Sequence, residues 1–147
     1  MNEFSLPHNR DIIGSFSGCH SFLSNFYTYQ DGMSAEHYYQ AAKTLDARQR
    51  DWVMASETPG IAKRRGRHVD LRLDWEYIKD CVMMNILIDK FSGNAALRNA
   101  LLKTGNAVLV EGNTWGDTYW GVCDGIGQNK LGELLMIVRA MMLYSLA

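Results

Sequence analysis

Residues 34–45, Ser-Ala-Glu-His-Tyr-Tyr-Gln-Ala-Ala-Lys-Thr-Leu, read as a helix from their first residue. Ser34 suits the N-cap, where a hydroxyl accepts a bond from an N–H of the first turn that has no helical partner. Ala35, Tyr38, Tyr39, Ala42 and Leu45 then recur at i, i+3, i+4 and i+7, the spacing of one buried stripe. Glu36, Gln40 and Lys43 fall at i, i+4 and i+7 on another face, so their side chains line up along the helix. That row has two readings. One is a solvated face whose Glu36 complements the positive end of the helix dipole. The other is a carboxylate at a helix start with an amide and a cation on the following turns, a set that positions a sugar hydroxyl and a water or leaving group.

Upstream of this helix, Asp11–Phe16 is short and apolar and predicts a strand, and Gly18–Asp31 reads as extended segments and turns closed by Gly32. Residues 1–10 read as a loose arm. Downstream, a second helix is expected over Ala47–Ser56. Thr58-Pro59 offers an N-cap with proline at the first helical position, and Gly66 suits the C′ end of that third helix. From Trp75 to Phe91 the chain is apolar around much of the helical wheel (Ile78, Val82, Ile86, Leu87), which predicts a central buried helix. Ala95–Lys103 forms a further helix stopped by Gly105. Ala107–Glu111 is the best strand candidate. Gly112–Gln128 holds five glycines and reads as a long loop of the kind that is usually functional. Asn129 caps a last helix in which Leu131, Leu134, Leu135, Val138 and Met142 keep helical spacing. The expected fold class is therefore mainly α with a small β component (α+β), arranged as one domain over residues 11–147 behind the arm.

Composition agrees with a packed domain. The 147 residues are 47% hydrophobic and 21% charged with two prolines, which excludes a disordered or collagen-like chain. No run approaches the roughly 18 apolar residues of a membrane span, and the N-terminus lacks the basic and apolar regions of a secretory signal, so a cytoplasmic location without membrane partners is expected. A net charge of −1 argues against a general polyanion binder. Cys19, Cys81 and Cys123 are odd in number and unpaired in spacing, so each is expected as a free thiol serving as a small buried hydrophobe.

Two further stretches carry chemistry. Residues 111–121, Glu-Gly-Asn-Thr-Trp-Gly-Asp-Thr-Tyr-Trp-Gly, interleave two acids with three aromatics and glycines. Aromatics on a glycine-rich loop suit stacking on a nucleobase, although indoles that merely cover the core give the same pattern. Lys63–Arg72 concentrates five Arg/Lys residues and one His. It reads either as a solvated face or as a patch for a compact phosphorylated ligand, since arginine forks match phosphate oxygens. Phosphate-loop, Gly-x-Ser-x-Gly and zinc-ligand spacings are missing, so neither a metal nor a cofactor is expected, and His37 reads as a core-facing residue.

Taken in order, the blocks Phe22-Leu-Ser-Asn25-Phe26, Ser34–Lys43, Gly66-Arg67, Trp75, Lys90-Phe91, Leu101–Gly105, Leu109–Glu111, Asp117…Trp120-Gly121 and Gly127–Arg139 resemble the YbiA-like or NADAR (NAD and ADP-ribose associated) superfamily. The resemblance implies a small, mostly helical fold and an N-glycosidase acting on a ribosyl–nitrogen bond. The implied substrate is an ADP-ribosylated nucleobase, such as ADP-ribosyl-guanine in DNA, or a ribosylamino-pyrimidine phosphate of early riboflavin synthesis. It implies Glu36 as the catalytic glutamate, with Trp75, Asp117 and Trp120 at active-site positions. It also implies Asn25, Lys43, Arg67, Glu111 and Asn129 as pocket-lining residues, and Gln40 and Gly121 stand inside the matching motifs. The Asn113-Thr-Trp115-Gly stretch before Asp117 departs from the family pattern. Breaking a C1′–N bond builds positive charge on the ribose, which a carboxylate stabilises, so the chemistry suits these residues independently. The water-activating role stays open between Glu36 and Asp117. A non-catalytic ADP-ribose or nucleotide-binding module is the alternative that the same residues allow.

Overall fold

The computed structural model describes Glu3, Phe4 and residues 9–145. Most of the arm expected over residues 1–10, namely positions 1, 2 and 5–8, lies outside the described residues. The chain divides into two compact units, one formed by Asn25–Ile86 and the other by the segments up to Ser24 and from Leu87 onward.

In the unit Asn25–Ile86, β2 (Thr28–Gln30) and β3 (Met33–Ser34) form an antiparallel hairpin. Its two-residue turn is Asp31-Gly32, both at positive φ (49° and 76°), the backbone that matches the twist of paired strands. The hairpin delivers Ser34 directly to the cap of α1 (Ala35–Ala41). There His37 takes the place of the usual acid in a capping box. Ser34 Oγ accepts from the His37 N–H, and His37 Nδ1 accepts from the Ser34 N–H at 3.2 Å. His37 Nε2 donates to the Ser56 carbonyl at 2.9 Å, which fixes the tautomer and ties α1 to the end of α2 (Ala47–Met54). Asp46 caps α2, and Thr58 with Pro59 opens α3 (Pro59–Gly66). These helices enclose a small core of Ala41, Val53 and Ala62, covered by Met54 and Val69.

In the other unit, β1 (Ile12–Ile13) pairs in parallel with β4 (Val108–Leu109), and β5 (Gly112–Asn113) with β6 (Val122–Cys123). Asn94 caps α5 (Ala95–Lys103), which ends before Gly105 at positive φ. α5 and β4 pack on α6 (Lys130–Ser145), and Val108, Val110 and Val122 form a core cluster with Phe4 and Met136. α4 (Trp75–Ser92) supplies its first three turns to one unit and its remainder to the other.

The fold class is α+β and mainly helical, as expected, but several local expectations need correction. The strands foreseen over Asp11–Phe16 and Ala107–Glu111 shrink to two residues each. The long loop contains β5 and β6. α1 stops at Ala41, and Leu45 is 65% exposed rather than part of the buried stripe. α4 buries one face (Trp75, Met83, Leu87, Lys90, Phe91) and exposes Tyr77 and Cys81, so it is not enclosed on all sides. The thiols are free, yet Cys19 and Cys81 are exposed and Cys123 is half-buried. Gly66 lies inside α3 rather than beyond it.

Candidate active site

Within the unit Asn25–Ile86, the start of α1 assembles a polar cluster. The Glu36 N–H, in the first turn where no intrahelical acceptor exists, donates to the Asn25 carbonyl at 2.9 Å. Its carboxylate is buried and accepts from Gln40 Nε2 at 2.6 Å, one turn along the helix. Gln40 is buried as well, so the polar row is no solvated face. A β-carbon at Gly66 would overlap the Gln40 carboxamide, which explains glycine there: α3 approaches α1 closely enough to clamp that amide. Gln40 Oε1 and Asn25 Oδ1 are buried with no hydrogen-bond partner, while Asn25 Nδ2 reaches Met83 Sδ at 3.7 Å.

Cations gather beside the carboxylate. Lys43 lies with its ammonium 5.5 Å from the centre of the Tyr39 ring, and Tyr39 packs on Trp75 with ring centres 5.1 Å apart. Burial lowers the Lys43 pKa; the Glu36 carboxylate opposes that shift, and Arg67 and Lys63 reinforce it. Arg67 is exposed, so its guanidinium is available to an incoming anion. Not all of the basic run is available. Arg65 donates to the Trp52 carbonyl at 2.6 Å and lies over the Trp52 ring, and Arg72 forms a fork with Asp74. The backbone N–H of Arg72 donates to the Lys43 carbonyl at 2.8 Å, fixing the chain after α3 to the end of α1.

The other unit holds Glu111, Asp117, Trp120, Gly121 and Asn129. Asp117 Oδ1 accepts the N–H groups of Tyr119 (3.1 Å) and Trp120 (2.9 Å), so this carboxylate shapes the turn that presents the half-buried indole of Trp120. Tyr119 meets that indole edge-on at 5.1 Å. The carbonyls of Tyr119 and Trp120 in turn accept the first N–H groups of α6, from Lys130 and Leu131. Asn129, at positive φ and buried, uses both ends of its carboxamide inside the fold: Nδ2 donates to the Leu109 carbonyl, and Oδ1 accepts the Glu111 N–H, each at 2.9 Å. Gly121 sits against the carboxylate and carbonyl of Glu111, where a β-carbon would overlap both.

The structure thus groups Asn25, Glu36, Gln40, Lys43, Arg67 and Trp75 in one unit, and the remaining expected residues in the other. Two participants were not foreseen. Gly66 read as a helix end, and Asn113 read only as part of a divergent stretch. For the latter the sequence offered only the residue type, since asparagine side chains commonly bond nearby backbone in turns. Among the described residues, no group of three His, Cys, Asp or Glu side chains is arranged to hold a metal ion. No described helix is long and apolar enough to cross a membrane.

A model of the NADAR domain family matches residues 14–143, which includes residues of both units. The chain belongs to the NADAR family. This NADAR chain is 44% identical over 109 residues to N-glycosidase YbiA of Shigella boydii, an alignment covering 72% of this chain and 68% of that protein. It is 40% identical over 129 residues to a riboflavin biosynthesis protein of Vibrio vulnificus, covering 82% of this chain but 35% of that longer protein. The NMR structure of Escherichia coli YbiA superposes with a TM-score of 0.81 at 37% identity, covering 92% of this chain and 88% of that one.

Proposed function

We propose that this NADAR chain is an N-glycosidase that hydrolyses the bond between ribose C1′ and a nucleobase or exocyclic nitrogen of a phosphorylated substrate. The observation that carries this reading is Glu36, a buried carboxylate at a helix start, fixed by Gln40 and accompanied by Lys43 and Arg67. As the C1′–N bond lengthens, positive charge grows on the ribose, and a carboxylate already oriented in a poorly solvated site stabilises it without reorganising. The same carboxylate orients or deprotonates the attacking water, while the departing nitrogen takes up a proton. Lys43 and Arg67 suit the phosphate of the substrate. In the 111–121 loop of the other unit, Asp117 commits one oxygen to the turn that carries Trp120.

Relatives named for N-glycosidase activity and for riboflavin biosynthesis favour a ribosylamino-pyrimidine phosphate as the first substrate to assay. ADP-ribosyl-guanine, free or in DNA, is the second. Glu36→Gln keeps the shape and removes the charge, and at least a roughly hundredfold loss of turnover is expected on the substrate that wild type cleaves. Mass spectrometry of the products checks it. Near wild-type turnover by Glu36→Gln rejects the assigned role, and recovery of both substrates intact with wild type identifies a binding module instead.

A further inference from the structure

We propose that Lys63 is a specificity-determining residue for this reaction: beside the Glu36 carboxylate it joins Lys43 and Arg67 in a three-cation cradle that reads the charge of the substrate's phosphate. The proposal rests on the N-glycosidase reading given above, and every residue in it belongs to the unit Asn25–Ile86.

α3 carries two of the cations to α1. Gly66 marks the closest approach of the two helices, against the Gln40 side chain. Lys63 stands three residues before that glycine and Arg67 directly follows it, so both lie at the edge of the contacting face, one turn apart. Lys63 is half-buried, and its ammonium lies 5.7 Å from the centre of the Phe26 ring. Phe26 follows Asn25, whose carbonyl accepts the Glu36 N–H at 2.9 Å. Lys63 thus reaches toward the start of α1, where the carboxylate sits, and Lys43 follows the end of the same helix. The charges feel one another. Beyond the effect of burial and against that of Glu36, Arg67 and Lys63 both lower the Lys43 pKa.

Such a grouping works against the fold. Lys63 and Arg67 repel each other at i and i+4. Among the described residues, no carboxylate comes within ion-pair distance of Lys43, Lys63 or Arg67. Their neighbours are used differently: Arg65 is spent on Trp52, Arg72 on Asp74, and Glu76 on Lys79. Glu36 offsets one of the three charges, which leaves two for a ligand. A phosphate group carries roughly 1.5–2 negative charges near neutral pH and supplies that complement. Lysine suits the place, because its flexible stem lies along an aromatic ring while three donors turn to follow the oxygens.

The experiment compares wild type, Lys63→Met and Arg64→Met on a ribosylamino-pyrimidine 5′-phosphate and on the same compound without its phosphate. Calorimetry measures ribose 5-phosphate binding to each protein. Methionine keeps an apolar stem beside Phe26 and removes the charge. Arg64→Met removes a charge one position along α3, where the side chain is exposed, and so controls for the general field. The preference for the phosphorylated form, read as a ratio of kcat/KM values, should fall about tenfold or more in Lys63→Met, mostly through KM, the size of one lost charge-assisted bond. Arg64→Met should keep that ratio within about twofold of wild type. Ribose 5-phosphate should bind Lys63→Met more weakly in proportion. An active wild type whose preference survives Lys63→Met, or falls equally in Arg64→Met, overturns the proposal. Wild type that cleaves neither this compound nor ADP-ribosyl-guanosine overturns the N-glycosidase reading instead. Ribose 5-phosphate then still decides on Lys63, since binding needs no turnover: weaker binding by Lys63→Met alone supports the cradle, and equal binding by all three proteins, or none by wild type, rejects it.

Discussion

Gln40 Nε2 lies 2.6 Å from Glu36 Oε1, while its own Oε1 is buried with nothing to accept. The amide therefore gives one good charge-assisted bond and bears the cost of an unmade one, about 1–3 kcal/mol. A residue selected for stability alone would not be built this way. Gln40→Leu keeps similar bulk, removes the orphan acceptor and takes away one donor from the carboxylate. A hydrogen bond to a charged group is worth about 1.5–3 kcal/mol, so kcat should fall by about tenfold or more. The melting temperature should move by only a few degrees, because the lost bond and the removed orphan offset each other. Measuring both on one preparation decides the matter: full activity with a large drop in melting temperature reverses the assignment.

Gly66 limits that same amide from outside. It occupies the last position of α3 in ordinary helical conformation, where alanine is intrinsically preferred by roughly 1 kcal/mol. A β-carbon there would nevertheless come within 2.7 Å of Gln40 Cδ and 2.9 Å of Gln40 Cβ. Overpacking of this kind costs about 1–3 kcal/mol, more than the propensity gain. Gly66→Ala should thus lower the melting temperature and, by pushing the Gln40 amide away from Glu36, lower kcat as well. Adding Gln40→Ala should restore part of the melting temperature and none of the activity. A stabilised, fully active Gly66→Ala protein would show that α3 yields without disturbing the amide.

Local signals accounted for most of the helical frame. Ser34, Thr58-Pro59 and Gly105 mark helix ends by chemistry confined to one turn, and each stands where that chemistry placed it, whereas Asn129 precedes α6 as expected but spends its side chain on Leu109 and Glu111 instead of on the helix. The strands were poorly legible, because two-residue parallel pairs have neither alternation nor length. Tertiary contacts defeated other local readings. The Glu36 and Gln40 row carries the spacing of a solvated face, and only the approach of α3 through Gly66 buries the amide. Gly66 itself looked like a helix end because glycine is commonest there, whereas here it meets a steric demand from another helix. Apolar spacing likewise overstated α4, whose Tyr77 is 89% exposed while Lys90 is wholly buried. Resemblance singled out Glu36 and Asp117, but no pattern could show that one Asp117 oxygen is bonded to two backbone N–H groups.

Lys90 supplies a test of the fold that needs no substrate. Its Nζ donates to the Ser24 carbonyl at 3.0 Å and lies 5.2 Å from the centre of the Phe91 ring. Burial lowers its pKa from 10.5 to about 7. Between those two values the unfolded chain holds a proton that the folded chain lacks, so stability rises with pH across this window. Below about pH 7 both states are protonated and this contribution to the slope vanishes; above 10.5 both are neutral. Other groups titrate in the same range, which is why the comparison must be with Lys90→Met rather than with a fixed reference. The stability of wild type relative to Lys90→Met, from urea unfolding at successive pH values, should climb from pH 7 toward 10. A difference that stays flat through that range would mean that Lys90 keeps its proton in the folded state, with its charge compensated where it lies.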